Sequence, residues 1–165
     1  MTGERLVADV MSDRFTVCEP HAERPEKGFA VVIGADGSTV GLLGPDGPGP
    51  AFVVAADATV MSLLDWPELL EWLRHGLPAA VAERDGRPVG VVTARIMAAE
   101  IARAARRRGS RLLTGDYAPY GQAAPAGEAR VFCATCGSAN IYTRFSKAKA
   151  YRCRGGHQLD PVWPG

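Results

Sequence analysis

Lysine is nearly missing from this chain: Lys27, Lys147 and Lys149 stand against 16 arginines. With Ala, Gly and Pro abundant, that bias reads as GC-rich codon usage, so Arg in place of Lys carries little chemical information. Long apolar runs are missing as well. The longest, such as Pro50 to Ala56 and Val60 to Leu64, fall well short of the roughly 20 residues a membrane helix needs. Met1-Thr-Gly-Glu-Arg5 opens no secretory h-region, so the expected address is cytoplasmic, with no membrane. Signatures of catalysis are also lacking. There is no nucleophile and base at a plausible spacing, no phosphate-cradling Gly loop followed by Lys, and no His-x-Glu element paired with Pro-Cys-x-x-Cys. The expectation is a protein that is not an enzyme.

What is there divides in two. The 165 residues leave room for one ordinary domain, or for a core domain of about 100 residues plus a small appendage that needs a staple. Residues 1–100 hold 8 Lys/Arg against 15 Asp/Glu, a net of −7, whereas residues 101–165 hold 11 against 3, a net of +8. Opposed charges of that size suggest two modules with different, mutually attractive surfaces. Gly44-Pro-Asp-Gly-Pro-Gly-Pro50 and the stretch from Thr114 to Glu128 read as linkers because Gly, Pro and small residues leave no apolar period. The second coincides with the charge switch and marks the expected domain boundary.

Hydrophobic periodicity supplies the elements. Phe29 to Ile33 and Thr39 to Leu43 are strands joined by Gly34-Ala-Asp-Gly-Ser38, a hairpin turn. The pattern recurs about 49 residues later, where Pro78 to Glu83 and Pro88 to Thr93 flank Arg84-Asp-Gly-Arg87. Val40-Gly-Leu-Leu43 and Val89-Gly-Val-Val92 make the repeat explicit. Phe52 to Ala55 reads as a strand, and Val60, Leu63, Leu64, Pro67, Leu70 and Leu73 fall at helical spacing. Asp65 with Glu68 predicts a capping box and a fresh helix start at Trp66, with a stop at Gly76. Ile96 to Arg108 reads as a last helix ending at Gly109.

This order, with Ala51-Phe-Val-Val-Ala-Ala-Asp-Ala-Thr-Val60, Gly76-Leu-Pro-Ala-Ala-Val81 and Asp85-Gly-Arg-Pro-Val-Gly-Val-Val-Thr93, resembles a cystathionine-β-synthase-type (CBS) domain. Val7-Ala-Asp-Val-Met11 is similar to the segment leading into the first member of a CBS pair, and Phe29 to Gly44 to that member's hairpin. Between Cys18 and Gly28 there is no room for the helix of a complete first copy. The resemblance implies a regulatory module that binds adenosine-containing ligands between its repeats and commonly dimerises. Of the family's Gly-x-x-Thr/Ser-x-x-Asp ligand motif, Gly90 and Thr93 match, which makes them the candidate nucleotide-binding residues. Ile96 occupies the Asp position, Gly41-Leu-Leu-Gly44 has lost the hydroxyl, and Asp46 lies one position short. Each missing charge-assisted bond forfeits about 1.5–3 kcal/mol, or one to two decades of affinity. A scaffold use of the fold is therefore preferred over nucleotide sensing. Thr93 has a plainer reading as a helix N-cap, Met11, Met61 and Met97 as core fillers, and His75 as a helix C-terminal cap.

The densest chemistry lies near the C-terminus. Cys133-Ala-Thr-Cys136 and Cys153-Arg-Gly-Gly-His157 are separated by 16 residues. Two such turns bring four ligands onto one tetrahedral ion, and Gly137, Gly155 and Gly156 supply the backbone freedom the turns use. Ile141 to Phe145 and Ala150 to Arg152 are β-prone, with Ser146-Lys-Ala-Lys149 as the turn between them. Val131, Phe132, Ile141, Tyr142, Phe145, Tyr151 and Trp163 are too few for an unaided core, so a structural Zn2+ held by Cys133, Cys136, Cys153 and His157 supplies the missing stability. Cys18 and His21 lie in the other module and leave His157 without a close competitor as fourth ligand.

The segment resembles the broad zinc-ribbon class, which implies contacts with protein or nucleic acid. Arg144, Lys147, Lys149, Arg152 and Arg154, interleaved with Tyr142, Phe145 and Tyr151, form a basic and aromatic strip that can follow a phosphate backbone. Its plainer reading is a solvated hairpin whose aromatics are its own core. Arg103, Arg106 to Arg108 and Arg111 either extend that face or decorate a helix end. The expected architecture is α+β. It comprises a CBS-pair-like module over 1–112 (repeat one about 5–47, truncated; repeat two about 50–110), a flexible linker over 113–128, and a zinc-ribbon hairpin over 129–165. The expected function is that of a regulatory or adaptor protein whose ribbon docks on a protein partner and whose CBS-like module forms a homodimer. The alternative is an adenine-nucleotide sensor whose basic ribbon binds nucleic acid.

Overall fold

A computed structural model describes residues 4–23, 25–111 and 127–160, with the backbone alone for 108–111. After a 3-10 turn at Val7–Asp9 come strands β1 (Phe15–Cys18), β2 (Phe29–Ile33), β3 (Thr39–Gly44), β4 (Gly47–Gly49) and β5 (Ala51–Ala55). Helices α1 (Val60–Leu64) and α2 (Pro67–Arg74) follow, then β6 (Ala79–Arg84), β7 (Arg87–Thr93), α3 (Ala94–Arg111), β8 (Gly127–Phe132) and β9 (Ala139–Tyr142). The fold is mixed α+β with two sheets, ordered β1-β2-β3-β4 and β7-β6-β5-β8-β9. No described helix is long and apolar enough to cross a membrane.

The repeated hairpins share one register. Gly41 pairs with Val32 and Leu42 with Val31 in the first, as Gly90 pairs with Ala82 and Val91 with Val81 in the second. Positive φ at Asp85 (53°) and Gly86 (72°) lets the second hairpin turn in two residues. In the second copy β5 runs parallel to β6, with α1 and α2 in the crossover. In the first, β1 runs parallel to β2, and its connection over 19–28 contains no helix among its described residues.

Period-two alternation along β5 divides the core. Ala51 and Val53 face Val31 and Leu42 across the space between the sheets. Phe52 and Val54 face the helices, where Leu63, Trp66, Leu69, Trp72 and Met97 are buried with Ala80, Ala82 and Val92. Trp66 and Trp72 are 0% and 1% exposed, and sequestering about 150–250 Å² of largely apolar surface each gives roughly 4–6 kcal/mol of gross stabilisation per ring.

Four expectations change. The run from Gly44 to Pro50 is no linker: Gly47–Gly49 is a strand paired with β3, and Pro48 is accommodated because β4 lies at the sheet edge, where a missing N–H breaks no ladder. The last helix passes Gly109 to reach Arg111, since a glycine inside a helix costs only about 1 kcal/mol. Asp65 closes α1, whose N-cap is Thr59, while α2 starts from Trp66 with Pro67 at its first position and no side-chain cap. Most consequential, Gly127 and Glu128 belong to β8, which pairs antiparallel with β5 through Phe52↔Ala129 and Val53↔Glu128. The candidate ribbon thus extends the second sheet. A Cβ on Gly127 would lie 1.8 Å from the Val53 carbonyl oxygen, so this approach of strands requires glycine. The remainder of the expected linker, and Trp163, lie outside the described residues.

Candidate metal centre

Cys133 closes β8 and Cys136 sits in the turn that leads to β9. The Cys133 carbonyl accepts from the Gly137 amide at 2.8 Å, and Gly137 takes φ of +72° to reach it. The second turn repeats the device. The Cys153 carbonyl accepts from the Gly156 amide at 2.9 Å, with Gly156 at φ +90°, and Cys153 N–H donates to the His157 carbonyl at 2.8 Å. Arg152 bridges Gln158 at the base of this turn, whereas β9 pairs with β8 and not with 150–152 as the β-prone runs had suggested. The Cys133 to Ser138 turn is short enough to fold the chain directly back on β8.

The two turns bring the four expected ligands together. One ligand atom each from Cys133, Cys136, Cys153 and His157 lies within 4.8 Å of all the others, a cluster that can hold a metal ion. Cys133 Sγ is 3.3 Å from His157 Nε2, and Cys136 Sγ is 3.5 Å from Cys153 Sγ. Cys133 and Cys153 are buried, His157 is half-buried and Cys136 is exposed.

Burial pushes the Cys133 thiol up, but the Asp160 amide, the His157 ring and the Cys136 and Thr135 amides outweigh it and hold the group at about 5. At Cys153 the Gly155 amide favours the thiolate, yet burial and the neighbouring sulfurs of Cys136 and Cys133 leave it raised. One thiolate forms readily, and gathering more of them into this space calls for a cation. Cys18 is a half-buried free thiol on β1, raised by burial, outside the cluster.

Asn140, buried on β9, is the residue of the candidate site that sequence reasoning missed. Its Oδ1 accepts from the Arg154 amide at 2.8 Å, and its Nδ2 reaches the Val131 and Ser138 carbonyls and Cys153 Sγ at 3.4, 3.3 and 3.5 Å. One side chain therefore braces both turns. Its position four residues after Cys136 was the only available signal, because an Asn in a strand carries no mark of burial.

The basic and aromatic strip folds back onto α2. Phe145 is fully buried and stacks on Trp72 at 5.5 Å and 6°, and Trp72 Nε1–H donates to the Phe145 carbonyl at 3.0 Å. Tyr142 and Tyr151 pack on Phe145 at 5.3 and 4.9 Å. Arg144 pairs with Glu68 at 3.2 Å, Ser146 Oγ donates to Glu71 at 3.1 Å, and Lys147 Nζ lies 5.9 Å above the Trp72 ring. Arg152 donates to the Gly156 carbonyl, while the side chains of Lys149 and Arg154 are exposed. Beneath β8, Arg130 makes a two-bond contact with buried Glu83, at 2.9 and 3.2 Å, and reaches the Thr39 carbonyl at 3.3 Å, so one guanidinium touches both sheets.

The candidate nucleotide residues have other occupations. Thr93 Oγ1 accepts from the Ile96 amide at 3.3 Å as the helix cap, and a Cβ on Gly90 would meet Met11 Sδ at 2.6 Å. His75 Nδ1 contacts the Glu71 carbonyl at 2.8 Å at the end of α2.

No protein-family model and no curated protein matches this chain. Among solved structures it is similar to an uncharacterized conserved protein from Pyrococcus horikoshii, at 16% identity over 66% of this chain and 97% of that one, with a TM-score of 0.41. It is also similar to a CBS domain pair solved with 5′-methylthioadenosine and S-adenosyl-L-methionine, at 13% identity over 66% and 99%, with a TM-score of 0.43. These are loose likenesses of shape, and they assign no ligand to this chain.

Proposed function

We infer that this chain is a non-enzymatic regulatory or adaptor module in which a CBS-like scaffold carries a structural zinc ribbon that docks on a protein partner. The observation that carries the reading is the closed set of four protein ligands, all within 4.8 Å of one another. With Zn–S bonds of about 2.3 Å and Zn–N of about 2.0–2.1 Å, tetrahedral zinc spaces two sulfurs about 3.8 Å apart and a sulfur and a nitrogen about 3.6 Å apart; the separations of 3.5 Å between Cys136 and Cys153 and 3.3 Å between Cys133 and His157 approach these from below. Cys133, Cys136, Cys153 and His157 would fill the shell, leaving no position for a reactive water. The ion then builds a surface and does no chemistry. A reducing compartment, the cytoplasm, keeps these thiols free to bind it.

An adenine-nucleotide sensor with a nucleic-acid-binding ribbon has less in its favour. Met11 covers Gly90, Thr93 caps a helix, and Arg144, Lys147 and Arg152 already have partners within the chain. Metal analysis together with a thermal-shift screen tests the reading. The expected outcome is one zinc per chain, absent from Cys136→Ser, and no shift in Tm with adenosine, AMP or ATP. Zinc-free protein that folds, or a nucleotide-induced rise of several degrees, would overturn it.

A further inference from the structure

The two sheets present equivalent faces with different covers. In the second, Ala80, Ala82 and Val92 lie beneath α1 and α2. The shared hairpin register makes Ala30, Val32 and Leu43 their counterparts in the first, and the connection that could cover them has no helix among its described residues. Over that face lies a cavity of about 680 Å³, with Val32, Gly41 and Leu43 below and Val131 and Phe132 of the candidate ribbon along one side. His21 stands edge-on to Phe132, with ring centroids 5.4 Å apart, and ties the connection to the ribbon. Among the described residues, Glu19, His21 and Asp46 are the titratable ones lining the cavity, and neither Lys nor Arg lines it.

We propose that this groove, between the first sheet and the ribbon, is the docking site for an amphipathic helix of a partner protein that carries Lys or Arg beside its apolar stripe. The proposal rests on the adaptor reading and names the partner's chemistry. The occupant is a helix because helices fill the same face of the second copy, and apolar grooves take helices by their i, i+3, i+4 and i+7 anchors. Its charge is positive because the lining carboxylates of Glu19 and Asp46 favour a cation. It comes from another protein because this chain's described helices are already committed. Val60 and Leu63 of α1, Leu69 and Trp72 of α2, and Met97 and Ala104 of α3 are all buried in their own core.

A display library of random 16-residue peptides, selected on zinc-loaded full-length protein, tests this. Glu19→Lys with Asp46→Lys reverses the charge, and Ala22→Trp obstructs the groove mouth. All three positions are exposed and none is one of the four clustered Cys and His residues, so unchanged Tm and zinc content will show that the variants fold. Enriched peptides should be basic with apolar residues at helical spacing. They should bind each variant at least tenfold more weakly than the parent, and bind the parent less tightly as salt rises. No enrichment, enrichment of acidic peptides, or equal affinity for parent and variants would overturn the proposal. Peptides that depend on zinc but ignore the groove variants would overturn it while leaving the adaptor reading intact. A dimer in sedimentation that Ala22→Trp dissolves would mean that a second copy fills the groove, and would also overturn it.

Discussion

Asn140 shows how a single buried amide can set the quality of a metal site. Its contacts run to Cys153 Sγ and the Arg154 amide on one turn and to the Ser138 carbonyl on the other. Replacing a partner that orients a ligand typically costs 10–100-fold in metal affinity. Asn140→Ala should therefore weaken zinc binding by one to two decades, read by competition with a chromogenic chelator, and lower stability by about 1–3 kcal/mol. Unchanged affinity would reduce Asn140 to a hairpin filler. Arg130 is a second such residue. Arg130→Met strands Glu83, which is only 8% exposed, and the loss of one partner of a buried pair costs about 3–5 kcal/mol. Denaturant melts should show that loss, and Glu83→Gln on the Met background should recover much of it. The cluster of Cys133, Cys136, Cys153 and His157 was legible in sequence because Cys-x2-Cys and Cys-x3-His dictate local turns. Asn140 and Arg130 were not, because their value lies in contacts 13 and 47 residues away.

At the scale of elements, α2 and the turn after β9 behave as one contact. Trp72 joins them by stacking and by its hydrogen bond to the Phe145 carbonyl, with Glu68 and Glu71 meeting Arg144 and Ser146 around it. Trp72→Ala should cost about 3–5 kcal/mol as a large core truncation. Arg144→Ala removes a partly exposed ion pair and should cost less than about 1 kcal/mol. If urea titration ranked the two the other way round, charge and not packing would hold the ribbon. The pairing of β8 with β5 makes a similar point through one residue. Gly127→Ala places a Cβ against the Val53 carbonyl and should be strongly destabilising, whereas Gly86→Ala meets open space and pays only for its positive φ. The two repeated hairpins and the helices followed from turn residues and period, whereas the hairpin expected between 141–145 and 150–152 did not form. The added strand did not, because Gly127-Glu-Ala-Arg130 has a linker's composition and becomes a strand only where β5 offers an edge.

For the whole molecule, the candidate ribbon and the rest of the chain share a core: Ala129, Val131, Phe145 and Cys153 are buried in the cluster that holds Phe52, Trp66 and Trp72. Removing zinc should therefore be felt beyond the ribbon. Chelation is expected to lower Tm, to shift Trp fluorescence to the red, and to raise hydrogen exchange along β5 as well as β8 and β9. An apo form whose β5 amides stay protected would mean that the ribbon melts alone. The attraction anticipated from opposed net charges is present in the contacts of Arg144 with Glu68 and of Arg130 with Glu83, on a scale of a few residues.

By itself the sequence determined the local parts: the repeated hairpins, the two-part helix with its stop at Gly76, and the two turns that carry Cys133, Cys136, Cys153 and His157. Each of these depends on neighbours within a few residues, through backbone φ, periodicity or turn length. Only the tertiary structure decided that the candidate ribbon extends the second sheet, that Phe145 is buried against α2, and that a cavity lies between the first sheet and β8. Those outcomes depend on which edges and apolar surfaces meet across the chain, and no local pattern encodes that meeting.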